Sequence, residues 1–488
     1  MKKIILSLVT ILFAAPMLRA ENVGVPSECE DVMLQAFYWD SYKTQSSTDS
    51  KYGRTKWIDL LRDTAAINAN FDLVWFPPSA GPTGGGVGYS AKQYSSQDSD
   101  WGTKTKLNQL ITALHAGNTR VIADVVLNHR GSGTTWCTFL TDKFGSTYGT
   151  WTLTQKEICR YDECFTNSSS NCYNAVTADR GSTDTGDNFD GARDLDHTSS
   201  VVQNWSKAYT QWLLNVMNYD GFRYDMTLGF HGQYLKMYNE AANPYLSVSE
   251  LWSDIDRQIT HLKQTNYNTM IFDFPLKYVM WNAIRVSNYR LLQSPNNSLR
   301  GKGYGKYAVT FIDNHDTFER DGYGNNQFGG QYCDLSSATT KSQILQAHAY
   351  ILMLPGVPCV FYPHWKSYPD EINALIAVRK RAGIHSESPV VESYSADNVY
   401  EAKVTGHRGT IILRMGPNRS LEAPEGFEMV LDSGDASKYT IFFSDQVQGT
   451  DNVNGRSLQG EKFMKDGRLY IRVGEQVFAL IGKRNDSL

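Results

Sequence analysis

The chain has 488 residues with 47 basic and 51 acidic side chains, a net charge of −4, and 12% aromatic residues. That length exceeds one simple domain and leaves room for a barrel with attached modules. The even charge balance excludes the basic surface of a nucleic-acid-binding protein, and no apolar run reaches the length of a membrane span.

The N-terminus reads Met1-Lys2-Lys3, then an apolar run from Ile4 to Ala15, then Leu18-Arg19-Ala20 before Glu21. A basic start, a short apolar stretch and a small closing residue mark a secretory signal peptide. Residues 1–20 are assigned to it, with cleavage after Ala20, and the protein is expected to be secreted or periplasmic. The seven cysteines fit an oxidising compartment, and four of them (Cys137, Cys159, Cys164, Cys172) lie close in sequence. Local disulfides are expected there with the pairing open, and the odd total leaves at least one thiol. Zinc is the weaker reading, since the cluster lacks a Cys-x2-Cys pair or a flanking His.

Taken in order, apolar runs over 32–40 and 71–78 read as strands, with a helix over 57–69 between them. A glycine-rich loop, Gly84 to Ser90, follows; it lacks the lysine and hydroxyl of a phosphate-binding loop. A helix over 105–116 leads into a strand ending Asp124-Val125-Val126-Leu127-Asn128-His129. Residues 131–193, rich in Ser, Thr, Asn, Gly and Cys, show no helical period and read as a small inserted domain. The βα pattern resumes with helices near 201–218, 234–242 and 342–354. Further strands are expected at 221–225, 245–250, 269–274, 307–312 and 358–362. Eight strands in βα order predict an α/β fold, a (β/α)8 TIM barrel over 21–130 and 194–383, with its active site at the C-terminal strand ends. From 384 to 488 short alternating runs between turns predict an antiparallel β-sandwich.

The most informative stretch is Gly221-Phe222-Arg223-Tyr224-Asp225. On a strand Arg223 and Asp225 point to one side, and a buried guanidinium there favours an ionised carboxylate, as a nucleophile requires. Taken alone, a structural ion pair explains the two residues as well.

Three other strands also end in polar residues: 120–129, Ser249-Glu250-Leu251-Trp252, and Ile312-Asp313-Asn314-His315-Asp316. Together the four resemble the signature regions of α-amylases in glycoside hydrolase family 13, and the chain resembles plant-type members. The resemblance implies endo-hydrolysis of α-1,4 bonds in starch, glycogen or maltooligosaccharides by a retaining, two-carboxyl mechanism. By it, Asp225 is the nucleophile, Glu250 the general acid/base and Asp316 the transition-state stabiliser. Arg223 orients Asp225, Tyr89 stacks on the sugar, and His129 and His315 donate hydrogen bonds to it; Asp124 is structural.

The segment Asp184 to His197 resembles the family's calcium-binding segment. The resemblance implies a Ca2+ ion held by Asn128, Asp184 and Asp194 through side chains and by Asp187 and Gly229 through carbonyls. Two positions depart from the family pattern. Leu228 stands where a basic residue is common, and Tyr362-Pro363-His364-Trp365 ends the eighth strand in place of a Gly-acid pair. A family 13 transglycosylase or a maltogenic or debranching relative shares these motifs. A non-catalytic glycan-binding protein is disfavoured because all three carboxylates remain. The expected partner is the glucan alone, bound by a monomer, with no nucleic acid and no membrane.

Overall fold

The structure, a computed structural model, describes residues 22–43, 49–81, 86–320 and 334–447, with the backbone of three strands between 461 and 479. The expected signal peptide, Gly84, Gly85 and Cys333 lie outside the described residues.

Eight parallel strands close into a barrel. They are β1 (Met33–Gln35), β2 (Leu73–Trp75), β3 (Arg120–Val125), β4 (Gly221–Tyr224), β5 (Leu246–Ser249), β6 (Met270–Phe272), β7 (Ala308–Phe311) and β8 (Val357–Phe361). Each pairs with its sequence neighbours, and β1 closes the ring by pairing with β8, Met33 opposite Cys359. Seven fall within the stretches expected from the sequence, and β8 begins at Val357, one residue before its expected start, and ends at Phe361, before Tyr362. Nearly every strand residue is buried, because a parallel barrel wrapped in helices has no solvent face.

A helix follows each strand: α1 (Trp57–Asn70), α2 (Lys104–His115), α3 (Ser200–Asn215), α4 (Gly232–Ala242), α5 (Ile255–Gln264), α6 (Phe274–Arg285), α7 (Ala338–Met353) and α8 (Pro369–Ala382). Helices α5, α6 and α8 were not expected from the sequence. In α5 the buried face mixes Ile255 and Leu262 with Gln258 and His261, which blurs the apolar period. Helices α6 and α8 carry a proline in the first turn, which reads as a stop. The missing N–H costs nothing there, because the first turn has no intrahelical acceptor. Asp254 and Asp273 cap α5 and α6 by accepting from Arg257 N and Leu276 N.

The segment between β3 and α3 folds as short ladders, His129–Arg130 against Arg193–Asp194 and Asp142–Lys143 against Thr150–Trp151. Buried ion pairs hold it, Arg130 with Asp142 at 3.0 Å and Arg193 with Asp162 at 2.6 Å. Cys137 and Cys172 form the disulfide left open by the sequence, while Cys159 and Cys164 are buried free thiols.

Beyond α8, which Gly383 ends in a left-handed cap at φ 68°, the chain turns antiparallel. Strands β9 (Val390–Tyr394), β10 (Tyr400–Thr405), β11 (Thr410–Met415), β12 (Glu428–Asp432) and β13 (Tyr439–Ser444) form one sheet in the order β9-β10-β11-β13-β12. A separate sheet holds β14 (Glu461–Lys465), β15 (Arg468–Val473) and β16 (Gln476–Ala479). Arg300, between α6 and β7, makes two hydrogen bonds to Glu392 of β9, at 2.7 and 2.9 Å, and donates to Tyr350 of α7. Burial pushes Glu392 up, but the Arg300 bonds and charge leave it below the usual carboxylate range.

Candidate active site

Strand register assembles the centre. Asp124 on β3 lies opposite Arg223 on β4, and Tyr224 lies opposite Ser249 on β5. The next residues, Asp225 and Glu250, therefore emerge side by side at the C-terminal rim. Arg223 is 1% exposed and serves three carboxylates. Its Nη1 donates to Asp124 Oδ1 (2.9 Å) and Asp225 Oδ1 (2.7 Å), and its Nη2 pairs with Glu250 Oε1 at 3.1 Å. Glu250 Oε2 accepts from the backbone N–H of Met226 at 2.9 Å.

This sharing sets the charge balance around Asp225. Burial pushes Asp225 well above the usual carboxylate range, Arg223 pulls it down, and the charges of Glu250 and Asp124 push it up again. Arg223 thus favours the ionised form of Asp225 against burial and the two neighbouring carboxylates. Asp124, pushed up to about 6 by burial against the pull of Arg223, is part of the same network.

Across the rim, Asp316 follows β7. Its Oδ1 accepts from Arg320 at 2.6 Å, and its Oδ2 lies 3.3 Å from His315 Nε2. The amide of Gln35, on β1, donates to His315 Nδ1 at 2.9 Å, so the ring proton sits on Nε2. That N–H reaches Tyr89 Oη at 2.6 Å, and Tyr89 in turn donates to Asp124 Oδ2 at 2.9 Å. Burial, with the Arg223 charge behind it, holds His315 neutral, well below its ordinary value. Trp39 stacks against both rings, 6.1 Å from Tyr89 and 6.0 Å from His315. The Arg320 guanidinium lies 3.5 Å over Trp39.

His129 reaches the rim but is covered. Its ring stacks on Phe189 at 4.0 Å, and its Nε2 bonds the carbonyl of Tyr89 at 2.8 Å. Burial lowers it to about 4, so it is neutral and its donor is engaged. Gln35, Trp39 and Arg320 were not singled out from the sequence. Gln35 gave a signal, as the one polar side chain inside the apolar β1, and Arg320 stands one helical turn after Asp316.

Beside this centre lies a second cluster. Asn128 Nδ2 faces His129 Nδ1 at 3.4 Å, which turns Asn128 Oδ1 the other way. That oxygen, Asp184 Oδ2 and both carboxylate oxygens of Asp194 are buried without a hydrogen-bond partner. Burial, then the Asp184 carboxyl, push Asp194 up to about 10. Buried oxygens of this kind cost several kcal/mol each unless a cation meets them, so the donor set fits a divalent ion. Gly229 is required here, because a Cβ would come within 1.8 Å of Asn128 Oδ1. Asp187 sends its side chain away, to Arg257 at 2.9 Å, which leaves only its backbone for the cluster. Leu228 lines a cleft with Thr185, His231, Leu251 and Arg257.

Comparison with known proteins agrees with the geometry. The family profile described as the α-amylase catalytic domain matches residues 68–369. The probable α-amylase 2 of Arabidopsis thaliana is 30% identical over 77% of this chain and 86% of its own length. The chloroplastic α-amylase 3 of the same plant is 28% identical over 81% of this chain, which spans only 42% of that longer protein. Among solved structures, the acarbose complex of the α-amylase from Geobacillus thermoleovorans superposes with a TM-score of 0.60 at 16% identity. That match covers 85% of this chain and 98% of the other. At that identity it speaks for the fold. The profile and the plant relatives carry the assignment: the chain belongs to the α-amylase family.

Proposed function

We propose that the protein is an exported, monomeric α-amylase that cleaves internal α-1,4-glucosidic bonds of starch, glycogen or maltooligosaccharides with retention of configuration. The observation that carries this is the Arg223 bridge, which brings Asp225 and Glu250 together at adjacent strand ends with Asp316 facing them. In the first step Asp225 attacks the anomeric carbon while Glu250 gives its proton to the departing glycosidic oxygen. In the second, Glu250 takes a proton from water, the water oxygen bonds to the anomeric carbon, and the Asp225 ester breaks. Asp316, held by Arg320, grips sugar hydroxyls and faces the positive charge that develops at the ring. Tyr89 offers a flat apolar face to the sugar, while Trp39, His315 and His129 set the position of Tyr89.

Asn128, Asp184 and Asp194 through side chains, and Asp187 and Gly229 through carbonyls, would hold a calcium ion. Bound there, calcium supplies the positive charge these oxygens lack and ties the insert to the end of β3. We assign the insert to residues 131–193, the barrel to 21–130 and 194–383, and the C-terminal domain to 384–488. Export rests on the basic and apolar N-terminus ending at Ala20; among the described residues no helix is long and apolar enough to cross a membrane.

Product analysis on soluble starch tests the proposal, with proton NMR following the anomeric signal. Release of α-configured maltooligosaccharides by the wild type, lost in Glu250→Gln, is the expected result. Longer chains formed without new reducing ends would replace hydrolysis by transfer, and binding without turnover would remove the enzyme reading.

A further inference from the structure

Cys159 has no place in the mechanism, yet its Sγ, a carboxylate oxygen of Asp184 and one of Asp194 all lie within 4.8 Å of one another. The thiol is buried and unpaired, although the chain forms a disulfide nearby. Its position is fixed from both sides. Cys159 N donates to Asp194 O at 2.9 Å, and the flanking residues are strapped to 181–182 by Gly181 N to Ile158 O and Arg160 N to Ser182 O, each at 2.8 Å. Asp194 is fully buried, and both its oxygens lack a partner. The other buried free thiols, Cys29, Cys164 and Cys359, have no such pair of carboxylates beside them.

We infer that Cys159 is a soft donor inside the cation site, and that the site therefore accepts a thiophilic divalent ion, Zn2+ or Cd2+, in competition with calcium. The inference rests on the cation-site reading above. Calcium is a hard ion that takes oxygen ligands and gains little from sulfur. Zinc and cadmium bind thiolates strongly and accept mixed sulfur and oxygen sets of low coordination number. Cys159, Asp184, Asp194 and Asn128 together offer one sulfur and three oxygen donors. When the ion binds, the thiol proton leaves to solvent and the sulfur lone pair goes to the metal; no oxidation is involved. Among the described residues the other group of potential ligands is Glu28, His385 and His407. Its two imidazoles stack face to face at 4.2 Å and 17°, so their in-plane lone pairs do not converge on one ion.

The test uses the full chain after chelation, titrated with cadmium chloride while the ultraviolet thiolate-to-cadmium charge-transfer absorption is followed. Wild type is expected to develop the band to about one equivalent, and excess calcium to suppress it. In Cys159→Ser the band is expected to vanish and the cadmium affinity to fall about tenfold or more, since losing even an outer-shell partner costs that much. Calcium should still raise the melting temperature of that variant, which also shows that it folds. A band of equal size in Cys159→Ser, or one indifferent to calcium, overturns the inference. No band in wild type, with calcium still stabilising, overturns the thiol donor and leaves the calcium reading standing. No effect of either ion on absorption or melting removes the site altogether.

Discussion

The backbone N–H of Met226 donates to Glu250 Oε2 at 2.9 Å, and Met226 sits in the left-handed region at φ 45° and ψ 51°. A non-glycine residue pays about 1–2 kcal/mol for that conformation, and here the strain aims the N–H following Asp225 at the Glu250 carboxylate. A β-branched residue tolerates the region worse. Met226→Ile is expected to lower both the melting temperature and kcat, whereas Met226→Gly relieves the strain and keeps the N–H. Thermal melts and kcat on soluble starch compare the two.

Arg223 contacts three carboxylates through a planar fork, which a lysine ammonium cannot reproduce. Arg223→Lys is expected to cut kcat about as severely as Glu250→Gln, by about 10²–10⁴. The two variants should differ in folding: Arg223→Lys leaves buried carboxylates poorly paired and melts earlier, while Glu250→Gln melts close to wild type.

Asp194 links its proton to stability. Unfolded, it ionises at about pH 3.9; folded and without a cation, it keeps its proton to about 10, because of burial and then Asp184. The folded form thus binds the extra proton, so metal-free stability is greatest in acid and declines as pH rises between those values. With chelator present, the melting temperature should fall from about pH 5 to about pH 9. With calcium in place of the proton the decline should disappear. Differential scanning across pH with and without calcium distinguishes the cases.

The Cys137–Cys172 bridge closes a loop with a sequence separation of 35. Loop-closure entropy gives such a bridge about 4 kcal/mol at most. Cys137→Ser with Cys172→Ser should therefore loosen residues 131–193, seen as faster proteolysis within the insert, while the barrel keeps its far-ultraviolet circular dichroism.

The barrel was legible because parallel strands buried on both faces read as uninterrupted apolar runs, each ending in polar residues where the chain reaches the rim. Asp225 and Glu250 each stand one residue past the ends of the adjacent strands β4 and β5, and so register alone brings them side by side. Less legible were contacts made between distant loops. Trp39 against His315, Arg320 over Trp39 and Phe189 over His129 depend on how loops fold over the rim, which no local period encodes. Helix α5 escaped for a related reason: the Nε2 of its buried Gln258 donates to the carbonyls of Leu251 and Phe272, so a polar residue occupies an inward position. Spacing shows one carboxylate neighbour of Arg223, Asp225, and hides the other two, Asp124 and Glu250.

The paired bonds from Arg300 to Glu392 have a consequence for how the protein comes apart. A guanidinium this enclosed is stable only while its carboxylate is present, since breaking a buried pair on one side costs about 3–5 kcal/mol. Peeling the antiparallel sheet from the barrel would strand Arg300 beside Tyr350, and shortening the chain after Gly383 would do the same permanently. Barrel and first sheet are thereby coupled into one melting unit, and the change of strand direction after α8 marks a boundary of architecture but not of cooperativity.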